Sequence, residues 1–310
     1  MCNTIYFDFD IITVVWCSMN KIIIDRKSKE VKKIRENILL IFLYNTVVGR
    51  CFLKITTRPG ISRLSGKYFD SKLSKPIIRR FVLKNEINMD EYIQEDYESF
   101  NDFFTRKIKH KSRKIINESK TFISPCDAKL SVYKVSDDLN LKIKRSNYSL
   151  NDLLGENVQV SCFNYTYALV FRLGVDDYHR YVFVDDGVMD EYHKINGVLH
   201  AVRPIAQKRY PIFFQNQREW TLLHTKNFGD IVEIEVGSLM VGKIINHDIK
   251  KFARGNEKGY FKFGGSTIVL LVNDIEIDED ILENSKNDLE TVVKLGEKIG
   301  RKKSHYELVK

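Results

Sequence analysis

Toward the C-terminal end of this 310-residue chain, Tyr260, Phe261 and Phe263 lead into Gly264-Gly265-Ser266-Thr267 and then into the apolar run Ile268–Val272. The aromatic residues and the apolar run are strand formers, so the sequence predicts two strands broken by a sharp turn. Successive glycines open backbone conformations closed to other residues and leave the Gly265–Ser266 peptide sterically open to attack. Ser266 sets a hydroxyl beside that carbonyl. Such a hydroxyl is a weak nucleophile until a base takes its proton. Standing alone, Gly-Gly-Ser-Thr reads more often as a glycine bend at a sheet corner, so the rest of the chain has to decide.

The elements that would position this turn fall into two parts. Ile38 to Tyr44 is the most apolar run of the first third and continues through Lys54 to a stop at Pro59-Gly60. Too short to cross a membrane, it suits a helix buried in the protein or lying in a membrane interface. Ser74-Lys75-Pro76 predicts an N-cap and first helical turn, followed by Ile77, Ile78, Phe81 and Val82 on one face. Phe100, Phe103, Phe104 and Ile108 recur at helical spacing, a stripe that is first of all core. After Arg113 short strands take over, at 121–123, 129–133, 168–171, 181–184, 231–236 and 268–272. The predicted fold is α+β. A variable lead (residues 1–35) precedes a basic α-helical N-terminal region (36–115) and a β-rich, mainly antiparallel domain (116–310) that holds the candidate chemistry.

Charge follows the same division. Residues 19–120 hold 24 Lys/Arg against 12 Asp/Glu, whereas residues 121–310 hold 26 against 27. The basic part suits an anionic lipid surface; the neutral part offers no track for nucleic-acid phosphates. Five scattered cysteines without CxxC spacing point to a reducing compartment and no disulfide frame. Residues 1–18 are apolar but carry Asp8 and Asp10 and no basic lead, a poor signal peptide. Met19 is a candidate true start.

Several segments, in order, resemble those of phosphatidylserine decarboxylase proenzymes of the prokaryotic type. Phe100-Asn-Asp-Phe-Phe-Thr-Arg106 is similar to the family's Phe-Asn-x-Phe-Phe-x-Arg, and Ser124-Pro-Cys-Asp127 to its Ser-Pro-x-Asp-Gly, with Ala128 in place of glycine. Arg172-Leu-Gly-Val-Asp-Asp-Tyr178-His179-Arg180 follows its Asp-Tyr-His-Arg segment. Gly197–Pro204, with Arg203 for the usual asparagine, Asn216–Glu219 and Gly229–Ile244 match the later segments, and Gly264-Gly265-Ser266-Thr267 completes the order. Each motif is weak, but the ordered set, spanning roughly residues 36–273, is specific.

The resemblance implies a pyruvoyl-dependent carboxy-lyase that converts phosphatidylserine to phosphatidylethanolamine and CO2. Ser266 would attack the Gly265 carbonyl, and the chain would cleave itself at Gly265–Ser266 into a β-chain (1–265) and an α-chain (266–310). The new pyruvoyl group at position 266 would be the covalent cofactor, forming a Schiff base with the substrate amine. The implied partners are phosphatidylserine, an anionic membrane surface on the cytoplasmic side of the cell membrane, bound peripherally, and the two chains of its own precursor. A homo-oligomer is left open, and neither a metal nor nucleic acid is expected. Asp127 maps onto the charge relay for cleavage and His179 onto the residue for decarboxylation, with Tyr178 and Arg180 as motif neighbours.

The chain departs from the pattern at Val182, where the usual relay histidine stands. Valine accepts no proton. His179, His193, His200 or Asp127 would have to serve instead, although a lone histidine in such a segment is more often a structural hydrogen-bonder. A zinc site from His179, His193 and His200 has no trusted ligand spacing. Two other readings follow: a decarboxylase-like protein that no longer processes itself and binds anionic phospholipid, and a self-processing enzyme acting on another amine-bearing acid.

Overall fold

The computed structural model describes residues 21–34, 36–136, 140–143, 146–155, 165–239 and 243–303. Residues 1–20 and 35 of the predicted lead, the candidate start Met19 among them, and Cys162 lie outside the described residues. The strands in chain order are β1 (Ile22–Asp25), β2 (Val31–Lys33), β3 (Thr121–Ile123), β4 (Ala128–Lys134), β5 (Asn140–Ile143), β6 (Ser146–Ser149), β7 (Tyr167–Leu173), β8 (Arg180–Val182), β9 (Gly187–Met189) and β10 (His193–Ile195). They continue as β11 (Arg218–Thr225), β12 (Gly229–Val236), β13 (Ile244–Asn246), β14 (Lys251–Phe252), β15 (Glu257–Phe261), β16 (Ser266–Val272), β17 (Ile275–Ile277), β18 (Glu290–Val293) and β19 (Lys298–Lys302). The largest sheet runs β14-β9-β11-β12-β16-β7-β4-β18-β1-β2, with β10 on β11, and only its β1–β18 pair is parallel. The expected α+β architecture, helices first and a mainly antiparallel sheet after, is the one observed.

The strand that follows the Gly-Gly turn, β16, lies near the middle of this sheet between β12 and β7. Its side chains alternate between two cores. Ile268, Leu270 and Val272 join Phe122, Leu130 and Phe171 on one face; Val269 and Leu271 join Leu43, Leu53, Val170 and Ile234 on the other. Burial on both faces explains why the sequence here is a continuous apolar run rather than an alternating one.

The N-terminal helices are α1 (Ile38–Asn45), α2 (Val47–Thr56), α3 (Pro59–Phe69), α4 (Ile77–Lys84) and α5 (Phe100–Phe104). The single apolar run of the sequence is split by Thr46, whose hydroxyl caps α2, and the two helices bend by 101°. Among the described residues no single helix is long and apolar enough to cross a membrane, although the bent pair passes that test together. α1 and α2 pack Leu43, Tyr44 and Leu53 onto the second core and leave Ile38, Leu39, Phe42, Val47, Val48, Phe52 and Ile55 exposed.

Some local expectations need correcting. Ser74 does not cap α4; it sits in a short 3-10 turn, where its hydroxyl accepts from the Phe100 amide at 2.9 Å and so ties α5 to the turn that follows α3. The aromatic stripe is core as expected for Phe100, Phe103 and Phe104, but the helix ends at Phe104 and Ile108 pairs with Tyr92 in an extended segment. Residues 22–33 form a hairpin whose first strand adds to β18.

Candidate active site

The loop between β15 and β16 is held from the helical side. The Phe263 ring lies 4.5 Å from Phe69, 4.9 Å from Phe100 and 5.3 Å from Phe104, and its amide donates to Asn101 Oδ1 at 3.0 Å. The aromatic stripe therefore clamps the residue that enters the turn. Gly264 has φ +127°, a conformation L side chains rarely adopt. At Gly265 the reason for glycine is proximity: a Cβ there would meet Val202 Cγ2 at 3.2 Å and the Leu173 carbonyl oxygen at 3.5 Å. Ser238 Oγ, which accepts from the Val202 amide at 3.2 Å, lies on the same side.

Ser266 opens β16 opposite Leu173 and is fully buried. Among the described residues its Oγ has no hydrogen-bond partner, nor have Thr267 Oγ1 and His179 Nε2. A buried polar group left unpaired costs about 1–3 kcal/mol, so such orphans call for a reason, and a reaction that supplies the partner is one.

His179 is brought toward this turn by two connections. It lies six residues beyond Leu173, after a turn closed by Asp177 N–H donating to Gly174 O at 3.1 Å, and its own carbonyl accepts from the Phe261 amide at 3.0 Å. The Phe104 ring, which also touches Phe263, stands 4.2 Å from the imidazole. His179 Nδ1 lies 2.9 Å from the Asp177 carbonyl oxygen. That oxygen can only accept, so Nδ1 carries the proton and Nε2 keeps its lone pair. Burial, helped by the nearby Arg106 guanidinium, lowers the imidazole to about 3 and keeps it neutral. Asp177 fixes this loop: its carboxylate accepts from the Gly174 amide at 2.7 Å and pairs with Lys129 at 2.6 Å. Tyr178 and Arg180 brace it outward, Tyr178 Oη accepting from the Ile108 amide at 3.4 Å and Arg180 donating to the Thr105 carbonyl and to Glu257.

Asp127 is buried and fully engaged. Arg113 donates to its two oxygens at 2.9 and 2.6 Å, Lys294 Nζ lies at 3.2 Å, and the Leu295 amide donates at 2.9 Å. Burial works against the charged form, but Arg113, Lys294 and the Leu295 amide together hold the carboxyl below its ordinary range. Val182 is beside this cluster. Its amide donates to the Pro125 carbonyl at 2.9 Å, and its side chain packs with Tyr92, Tyr178 and Leu295.

The other two candidate histidines have partners of their own. His193 stacks on Trp220 at 4.0 Å. His200 stacks on Tyr210 at 4.2 Å and shares a hydrogen bond with Tyr44 Oη at 3.3 Å. Among the described residues no three His, Cys, Asp or Glu side chains are grouped to hold a metal ion. Reasoning from sequence missed Arg113 and Lys294, the partners of Asp127, and Val202 and Ser238, the neighbours of Gly265. Arg113 lies in an ordinary basic run and Lys294 in a polar tail, so neither carries a local signal.

A family model described as phosphatidylserine decarboxylase matches residues 100–301. The chain is 48% identical over 288 residues to "Phosphatidylserine decarboxylase proenzyme 2" of Clostridium acetobutylicum, which covers 91% of this chain and 99% of that protein. It is 41% identical to the "Phosphatidylserine decarboxylase proenzyme" of Clostridium tetani (89% of this chain, 96% of that one). The protein of the same name from Desulfitobacterium hafniense is 38% identical, again with 89% and 96% covered. The chain belongs to the phosphatidylserine decarboxylase family.

Proposed function

We propose that the protein is a self-processing phosphatidylserine decarboxylase that forms phosphatidylethanolamine and CO2 with a pyruvoyl group made from Ser266. The observation that carries this reading is two orphaned buried atoms, Ser266 Oγ next to the Gly265 carbonyl and His179 Nε2 on the loop tied to Phe261 at the end of β15. His179 Nε2 takes the Ser266 hydroxyl proton as Oγ bonds to the Gly265 carbonyl carbon. The C–N bond breaks, the nitrogen takes a proton, and an ester replaces the peptide. Loss of the Cα proton at position 266 expels Gly265 as a carboxylate and leaves dehydroalanine. Its imine tautomer is hydrolysed by one water, releasing ammonia.

The pyruvoyl carbonyl supplies the electron sink that loss of CO2 from an amino acid headgroup requires. We assign His179 a second role in the decarboxylation step, where the lone pair of its neutral Nε2 accepts a hydrogen bond from the amino acid end of the substrate. Asp127, paired with Arg113 and Lys294, serves as a fixed charge that orders the Pro125–Asp127 and Leu295 backbone near β8. The two products stay together, because β16 of the α-chain is paired on both edges with β12 and β7 of the β-chain.

We place the enzyme peripherally on the cytoplasmic face of the cell membrane. Twelve of the sixteen exposed large apolar side chains among the described residues fall between Ile38 and Leu83, interleaved with exposed Lys54, Arg58, Arg63, Lys67, Lys72, Arg79 and Arg80. Apolar contact plus cationic attraction is what an anionic lipid interface rewards. A Ser266→Ala protein is expected to remain one chain and to release no CO2 from carboxyl-labelled phosphatidylserine; two chains and retained activity would sink the reading. Val182 favours a second reading, an unprocessed phospholipid-binding protein, which predicts an uncut wild-type chain that binds vesicles without turnover.

A further inference from the structure

Beside the Gly-Gly turn is a cavity of about 710 Å³ that the processing chemistry does not use. One wall is α3, which presents Ile61, Leu64 and Tyr68 to solvent and sends Arg63 and Lys67 to the cavity, four residues apart and so on one helix face. Lys194 and Lys243 line it as well, and Lys262 and Phe263 bring it to the residue before Gly264. The lining thus carries five cations against one carboxylate, Asp70. Asp70 is already taken: Lys262 Nζ and Asn101 Nδ2 donate to its Oδ1 at 2.9 and 3.0 Å. Lys194 is 3.1 Å from Glu219. Among the described residues Arg63, Lys67 and Lys243 have neither an ion pair nor a side-chain hydrogen bond, although Lys243 adds its field to that on Asp70.

We propose that this cavity is the subsite for the phosphodiester of the substrate lipid, with Arg63, Lys67 and Lys243 as its cationic ligands. The inference rests on the decarboxylase reading above and adds where the headgroup is held. Its position fits that use. One wall is a helix whose outer side belongs to the exposed apolar face, and the lining reaches Phe263, three residues from Ser266. A phospholipid whose acyl chains stay at the interface would pass its phosphate between these cations, and its amino acid end toward position 266. Three cations without protein anions form a site for a ligand that brings the anion, and guanidinium and ammonium groups bind phosphate through charge-assisted hydrogen bonds.

The test is steady-state kinetics of the processed protein with a short-chain phosphatidylserine kept below its micelle concentration, alongside sedimentation with anionic vesicles. Lys243→Met and Arg63→Met should still be cut into two chains and should each raise KM for the monomeric lipid roughly tenfold. Lys243→Arg should stay within about threefold of wild type. Glycerophosphoserine should inhibit wild type competitively and the Met variants far more weakly, whereas free serine should inhibit neither. An unchanged KM for monomeric lipid with weakened vesicle binding would overturn the subsite and make these cations part of the membrane-attracting surface. Unchanged values in both assays would overturn it too. If the Met variants fail to fold, glycerophosphoserine binding to processed wild type decides the matter: salt-sensitive saturation is expected, and no binding overturns the proposal. Wild type that turns over no phosphatidylserine in any form would instead remove the decarboxylase reading, and the subsite with it.

Discussion

The carboxylate of Asp127 is gripped by the guanidinium of Arg113 through two hydrogen bonds, at 2.9 and 2.6 Å, with Lys294 3.2 Å from the same group. An aspartate so neutralised has little left to offer a neighbouring imidazole. This bears on Val182, which lies against Leu295 beside the cluster. Val182→His is therefore expected to leave the rate of self-cleavage within about threefold of wild type, while a polar ring in a buried apolar position costs about 1–3 kcal/mol of stability. Time-resolved gels and thermal melts measure both. Cleavage accelerated tenfold or more would show that Asp127 can still drive a histidine.

Removing Arg113 probes the same pair from the other side. Arg113→Leu would leave a buried carboxylate with only Lys294 and one amide, a loss of about 3 kcal/mol or more by analogy with other broken buried pairs. Denaturant titration of the uncut Ser266→Ala background reads this without interference from processing. A loss under about 1 kcal/mol would mean that Lys294 alone satisfies Asp127.

His179 should set the pace of cleavage. Replacing it with glutamine removes the base proposed for Ser266 and should slow chain cleavage by roughly 10²–10⁴-fold. Because burial and Arg106 lower its pKa to about 3, it is neutral above that value. The cleavage rate should consequently stay flat between about pH 5 and 8, rather than fall below the ordinary histidine value. The same depression has a stability consequence of fixed sign. The neutral ring contributes stability above the unfolded pKa, and that contribution is lost as pH falls toward the folded value. A rate that drops tenfold per pH unit from about 6.5 downward would point to a different base.

How much of this was legible in the sequence differs from residue to residue. The continuous run Ile268–Val272 announced a strand covered on both faces, and the glycines before it announced a turn; β16 and Gly264 at φ +127° are their physical forms. The stripe Phe100, Phe103, Phe104 announced core, but not that it closes on Phe263, because a contact across 159 or more residues leaves no local period. The hairpin at 22–33 was unreadable for a similar reason: its partner, β18, is supplied from the other end of the chain. Capping by Ser74 failed because its hydroxyl had a better use in holding α5.

On β12, beside β16, Glu235 is paired with Lys258, which stands 3.9 Å from Glu233, all three fully buried. Burial pushes the Glu233 carboxyl upward against the pull of Lys258. A carboxyl whose folded pKa is raised contributes stability that is full below its unfolded pKa and lost as pH rises through the folded one. Glu233→Gln, a neutral mimic of the protonated acid, should flatten that loss above about pH 4.5. Unfolding free energies measured from acid to mildly alkaline pH check it; an unaltered slope would mean that Glu233 is ionised throughout.

The exposed face of α1–α3 should govern membrane binding with little effect on folding. Phe52→Asp and Leu64→Asp, both on exposed positions, should each weaken binding to anionic vesicles about tenfold, the scale of one large apolar side chain. Stability should change by no more than about 0.5 kcal/mol. Vesicle flotation at low and high salt measures the first and melting the second. Undiminished flotation of the double variant would move the docking face elsewhere.

Whether the chain cuts itself at Gly265–Ser266 despite Val182 can be read from an intact-mass spectrum of the purified wild-type protein. Two species are expected, one ending at Gly265 and one running from position 266 to Lys310, the latter with a pyruvoyl group where serine was encoded. A single uncut chain of 36.3 kDa, persisting with anionic lipid present, would contradict that expectation.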